Sequence, residues 1–105
     1  MPEIIQDARV FRAENAWGAR DIAEIDGATV RLHWTDKPYK WHVNDGAEVF
    51  TVIDGQVNMR YREAGTELEV MLCAGDIFVA GVGDEHVAEP IGEARILVVE
   101  RKGSV

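Results

Sequence analysis

Trp41-His42-Val43-Asn44-Asp45-Gly46-Ala47-Glu48 is the stretch on which the fold turns. His42 and Asn44 are two residues apart, so in an extended strand both point to one face. Asn44-Asp45-Gly46 then offers residues that a tight turn tolerates. Glu48 opens the apolar run Val49-Phe50-Thr51-Val52-Ile53, which stops at Asp54-Gly55. A hairpin here would bring an imidazole, an amide and a carboxylate together on one face. Such groups suit metal ligation or proton transfer, and the same strands carry enough apolar residues to wall them off from water.

Alternation continues on both sides of this stretch. Upstream, Asp21 to Ile25 alternates and stops at Asp26-Gly27. Ala28 to Trp34 places Val30, Leu32 and Trp34 on one face and Arg31 and His33 on the other, and Asp36-Lys37-Pro38 breaks it. Tyr39 to Asn44 and Ala47 to Ile53 form the central pair. Downstream, Gly55 is expected to turn the chain into Val57 to Arg62. Leu68 to Leu72, Ile77 to Ala80, Glu85 to Ala88 and Ala94 to Glu100 come next, with Pro90-Ile91-Gly92 as a turn. Val10-Phe11 reads as an edge strand or arm, and the tail from Arg101 as loose. No segment holds a 3.6-residue period. About ten short strands separated by Gly, Pro, Asn and Asp predict an all-β sandwich or barrel. Phe50, Val52, Met59, Tyr61, Ile77, Phe78 and Val79 are the expected core.

The composition narrows the class. A chain of 105 residues with 47% hydrophobic content suits one small domain. A net charge of -8 argues against nucleic acid or an anionic membrane surface as partner. There is no apolar run long enough to span a bilayer and no signal-peptide pattern, so a cytoplasmic protein is expected. The single cysteine, Cys73, sits in the apolar run Val70 to Ala74 and reads as a buried, inert thiol.

At these residues the chain resembles the cupins, small double-stranded β-helix (jelly-roll) barrels. The first cupin motif has His-x-His, a few residues, Glu, six residues and Gly. It is matched by His42-Val43-Asn44, then Glu48, then Gly55, with Asn44 where the second His is expected. The second motif is matched by Gly75, Gly81-Val82-Gly83 and His86, with Gly81 in place of a Pro and Pro90 in place of an Asn. The resemblance covers about Val30 to Glu100 and implies a single cupin domain over residues 1–105. Its core would be about 28–100, with the strands of 8–27 placed at a dimer contact.

The resemblance also implies a site. In metal-binding cupins the corresponding residues hold the ion, which carries over to His42, Glu48 and His86, with Asn44 in the altered position. Imidazole and carboxylate suit divalent Fe, Mn, Ni or Zn. The competing interpretation is a barrel that has lost its metal, with the two histidines bonded to Glu48 in a polar lumen. His33 faces the lumen side and reads as a solvated or supporting residue. Trp34 and Trp41 flank the site and read as packing or subunit-contact residues. Arg31 or Arg60 is a candidate for a substrate carboxylate, against the plainer assignment as surface charge. Functionally, the metal-bound form would be an oxygenase, isomerase or lyase acting on a small polar metabolite. The alternative is a non-catalytic ligand-binding or oligomerisation barrel. The short barrel, with Trp17 and Trp34 surplus to its lumen, predicts a homodimer.

Overall fold

The structure, a computed structural model, describes residues 1–104. A short 3-10 helix, Ala8–Val10, occupies the place expected for an edge strand or arm. Seven strands come after it: β1 (Gly18–Ile25), β2 (Ala28–Thr35), β3 (His42–Val43), β4 (Glu48–Glu63), β5 (Thr66–Cys73), β6 (Ile77–Ala80) and β7 (Glu85–Arg101). Every pairing is antiparallel, in the order β1-β2-β7-β4-β5, with β3 added to β7 and β6 to β4. The all-β jelly-roll expectation holds.

Two expected turns are bends inside long strands. Gly55 does not reverse the chain, because β4 runs through it for 16 residues. Pro90-Ile91-Gly92 likewise lies inside the 17 residues of β7. The two strands pair with each other from Glu48↔Glu100 to Arg62↔Glu85, with register shifts around Asp54. A bulge of this kind bends a strand without ending it. The shift also changes which parity faces inward: Glu48, Phe50 and Val52 are buried before the bend, Val57 and Met59 after it. Reversal at either point would give up a ladder that spans both halves of the barrel.

β3 pairs with β7, not with β4 as a hairpin would require, and His42 lies opposite His86. The reason is the stitching of two loops. Asn44 N donates to Asp84 O at 2.8 Å, and Gly83 N donates back to Asn44 O at 2.8 Å. The two stretches that resemble the motifs are therefore joined by backbone before any side chain is considered.

The core consists of Phe50, Val52, Val57, Met59, Leu72, Ala88, Ala94, Ile96 and Val98, with Trp17 and Phe78 packed against it. Ile77 and Val79, expected inside, are 59% and 67% exposed. In the four-residue β6 it is Phe78 that faces inward, so its neighbours must face out. Tyr61 is half-buried. Cys73 is exposed rather than buried, because it ends β5 on the outer face, where its sulfur lies 3.4 Å from Gln56 Nε2. Trp34 is buried and donates to Glu93 at 2.9 Å, so it offers nothing to a subunit contact. Trp41 lies beneath the Arg60 and Arg62 guanidinium groups. The tail is tied through Ser104: Lys102 N donates to Gly27 O, and Ser104 Oγ donates to Asp45 Oδ1. Among the described residues no helix is long and apolar enough to cross a membrane.

Candidate metal centre

Three strands deliver the candidate ligands. His42 stands on β3, His86 opposite it near the start of β7, and Glu48 at the first position of β4. One ligand atom from each lies within 4.8 Å of the others, so the three could hold a metal ion. The two imidazoles meet edge to face with centroids 4.3 Å apart. Glu48 Oε1 is 3.2 Å from His86 Nε2. Glu48 and His86 are buried and His42 is half-exposed.

The hydrogen bonds define what each group can offer. His42 Nδ1 lies 3.0 Å from Lys40 O. A carbonyl only accepts, so Nδ1 carries the proton and Nε2 of the neutral ring is a bare lone pair. This is how a second partner orients a ligating histidine. Asn44 is buried between the other two. Its Oδ1 is 2.6 Å from His86 Nε2, and its Nδ2 donates to Glu48 Oε1 at 3.0 Å and to Gly46 O at 3.3 Å. Asn44 thus aligns His86 and Glu48 through one amide. His86 Nδ1 is buried with no partner among the described residues. The nitrogen that faces Glu48 and Asn44 is the other one, Nε2. What fits a divalent metal is the donor set itself, two imidazoles and an ionised carboxylate with ligand atoms within 4.8 Å of one another.

Burial pushes the Glu48 carboxyl up, yet hydrogen bonds from His86 and Asn44 and the nearby imidazoles outweigh it and leave the pKa below its ordinary value. The carboxylate is therefore held in its ligating form.

The candidate ligands open on a cavity of about 200 Å3. Its apolar walls come from Trp17, Tyr39, Phe50 and Val98, and Arg31, His33 and Glu100 supply polar groups. The cavity is smaller than a drug-sized site, which runs to roughly 300–1,000 Å3. Trp17 packs edge-on against both His33 and Tyr39, and Tyr39 against His42. Burial pushes the His33 pKa down, against the hydrogen bond between Nδ1 and Trp17 O.

Glu100 is the residue that sequence reasoning missed. It lies directly across from Glu48 in the β4–β7 ladder. Burial first, then the Glu48 and Asp45 charges, push its pKa up to about 7. The signal was present: counting by twos from Ala94 gives Ile96, Val98 and Glu100, a lone carboxyl on an otherwise apolar inner face. The neutral carboxyl is the form favoured by folding. That contribution is fully present below about pH 4.5 and is lost as pH rises through about 7. Glu100→Gln should therefore melt higher than wild type near pH 8, by on the order of 1 kcal/mol after allowing for solvent screening, and show no gain near pH 4. Thermal melts across that range check it, and a pH-independent difference would count against the assignment.

No protein-family model matches the chain. Over 62 residues, 59% of this chain, it is 31% identical to 3-hydroxyanthranilate 3,4-dioxygenase of Bos taurus, a match that spans 22% of the bovine protein. Among solved structures, a cupin-2 domain-containing protein of Shewanella frigidimarina NCIMB 400 superposes with a TM-score of 0.75 at 25% identity, covering 91% of this chain and 98% of that one. Hydroquinone 1,2-dioxygenase, solved in complex with Fe3+, superposes with a TM-score of 0.76 at 15% identity, over 87% of this chain and 29% of that one.

Proposed function

We propose that this small cupin domain holds one divalent metal ion, iron(II) in the first instance, and acts as a dioxygenase on a small aromatic metabolite. One observation carries the proposal: two imidazoles and a carboxylate converge at a small cavity with aromatic walls. Two histidines and one carboxylate are the ligand set of many non-haem iron oxygenases, and they leave coordination positions open. The partial identity to a dioxygenase, and the fold shared with a second one, support the same reading. Mn, Ni and Zn suit the same donors and are the other metals to test.

The chain's own residues have separable tasks. His42 presents the Nε2 lone pair, and Lys40 O fixes that tautomer. Glu48 stays ionised, and Asn44 holds it and His86 in alignment. Trp17, Tyr39, Phe50 and Val98 exclude water and face a planar ring. Glu100, with a pKa near neutral, exchanges a proton between its carboxyl oxygen and a substrate hydroxyl. When bound, the metal would supply oxygen activation and Lewis acidity.

A second reading is binding without catalysis. It is favoured by the way Asn44, His86 and Glu48 already satisfy one another. Protein purified without a chelating tag and loaded anaerobically with iron(II) separates the two. One metal per chain, with oxygen uptake on adding an ortho-hydroxylated aromatic, is the expected result. Folded protein that stays metal-free when offered Fe(II), Mn, Ni and Zn would leave only the binding role. We also infer a single domain that pairs as a homodimer. The exposed Ile77 and Val79 on edge strand β6 now stand where Trp34 was expected to contribute. Light scattering at micromolar concentration that returned the monomer mass would contradict the pairing.

A further inference from the structure

We propose that Arg31 is the specificity-determining residue of the cavity, and that the molecule bound there is a small planar monocarboxylate whose carboxylate docks on the Arg31 guanidinium. The inference rests on the cavity being the substrate site, as read above, and adds the chemical class of its occupant.

Strand geometry places Arg31. It stands on β2 between the buried Leu32 and the half-buried Val30, on the face shared with His33. Across the sheet its neighbours are Asp21 on β1 and Val98 on β7, and Val98 is in turn opposite Phe50 on β4. A row therefore runs from the guanidinium over two apolar side chains. The next row along holds Glu100 opposite Glu48.

The guanidinium is only partly used. Arg31 Nε donates to Asp21 Oδ1 at 2.9 Å. Among the described residues no hydrogen bond engages its two Nη groups. Asp21 is 85% exposed at the side chain and Arg31 43%. An ion pair at that exposure contributes little to stability, so the fold does not need a cation here. Asp21 instead holds the group by one nitrogen and leaves the other end as a fork, which matches a carboxylate in a bidentate way.

The charge pattern points to the same occupant. The chain carries -8 overall, and Arg31 is the one permanent cation among the described residues that line the cavity. The titratable groups sharing its surroundings are Asp21 from β1, His33 from β2 and Glu100 from β7. An organic anion approaching an acidic protein is repelled except where a local cation compensates. The apolar strip of Val98 and Phe50 suits a hydrocarbon body, and its far end would reach toward His42, Glu48 and His86.

Benzoate and its neutral isostere benzamide are the probes, titrated by calorimetry into the metal-free protein. Wild type should bind benzoate about tenfold or more tightly than Arg31→Ala, whereas benzamide should bind the two alike. Arg31→Gln keeps a donor without the charge, should behave like Arg31→Ala, and serves in its place if the alanine variant misfolds. Arg31→Lys should recover part of the affinity. Benzoate binding that is equal in wild type and the Arg31 variants, or absent from wild type, overturns the proposal. Co(II) binding is measured separately on the same proteins and should not change with Arg31. Failure of wild type to bind Co(II) would defeat the metal reading and leave the benzoate comparison to stand or fall alone.

Discussion

His86→Ala is expected to lower Co(II) affinity by about a hundredfold or more, equivalent to about 2.7 kcal/mol. The variant retains only His42 and Glu48 of the three converging groups. It also removes the donor that, with Asn44, keeps Glu48 below its ordinary pKa, so the remaining carboxylate becomes a weaker ligand at mildly acid pH. The apo fold should survive. His86 is fully buried, so a cavity forms, but its Nδ1 has no partner among the described residues and its removal relieves that cost. Loss of the Nε2 bonds to buried Asn44 Oδ1 and Glu48 Oε1 adds to the cavity cost and outweighs that relief, and a net loss of about 2–3 kcal/mol is expected. Metal-dependent stabilisation separates site from fold: at a hundredfold excess over the wild-type Kd, bound ion adds about 2.7 kcal/mol to wild type, and about 0.4 kcal/mol or less should remain in the variant. His33→Ala is the control. His33 lines the same cavity but is not among the converging groups, so its loss should leave metal content near wild type. Equal metal loss in both variants would show that His86 is not the ligand.

Gly55→Ala is expected to be the most damaging single-methyl change in the barrel. Gly55 has φ +86, which costs an L residue roughly 1–2 kcal/mol on its own. An added Cβ would also collide with the Glu93 carbonyl oxygen and press on Ala94. These atoms belong to β7 where it passes the bend, between the pairs Asp54↔Arg95 and Gln56↔Ile91, with Ala94 also paired to Thr35 on β2, so they cannot move without disturbing the ladders on either side. The total is about 3 kcal/mol or more, a fall in Tm on the order of 10–20 °C for a domain of this size. Gly65 isolates the steric part. Its φ is +80, but an added Cβ meets nothing within 4 Å. Gly65→Ala should cost only the backbone term, about 1–2 kcal/mol. Thermal unfolding of the two variants side by side is the measurement, and similar losses would mean that the close approach at Gly55 is not what the bend requires.

Local order along the chain was legible in the sequence because the side-chain period of a strand is two and Gly, Asp and Asn mark its interruptions. That alone identified an all-β chain, the inward parity of Phe50, Val52 and Met59, the opposite faces of Leu32 and His33, and the grouping of His42, Asn44 and Glu48, whereas His86 entered only through the resemblance to the cupin motifs. Whether a glycine reverses the chain or only bends it was not legible. A positive φ serves a reversal and a bulge equally well, and only pairing with β7 makes Gly55 a bend within one strand. The partner of β3 was hidden for the same reason: hydrogen bonds between residues 44 and 83–84 choose β7 over the nearer β4. Periodicity also cannot say whether an apolar face is covered, which is why Ile77, Val79 and Cys73 fell outside the core and Trp34 inside it. The role of Glu100 needed tertiary structure most of all. Its pKa depends on burial and on Glu48, a residue 52 positions away that becomes its neighbour only when the ladder forms.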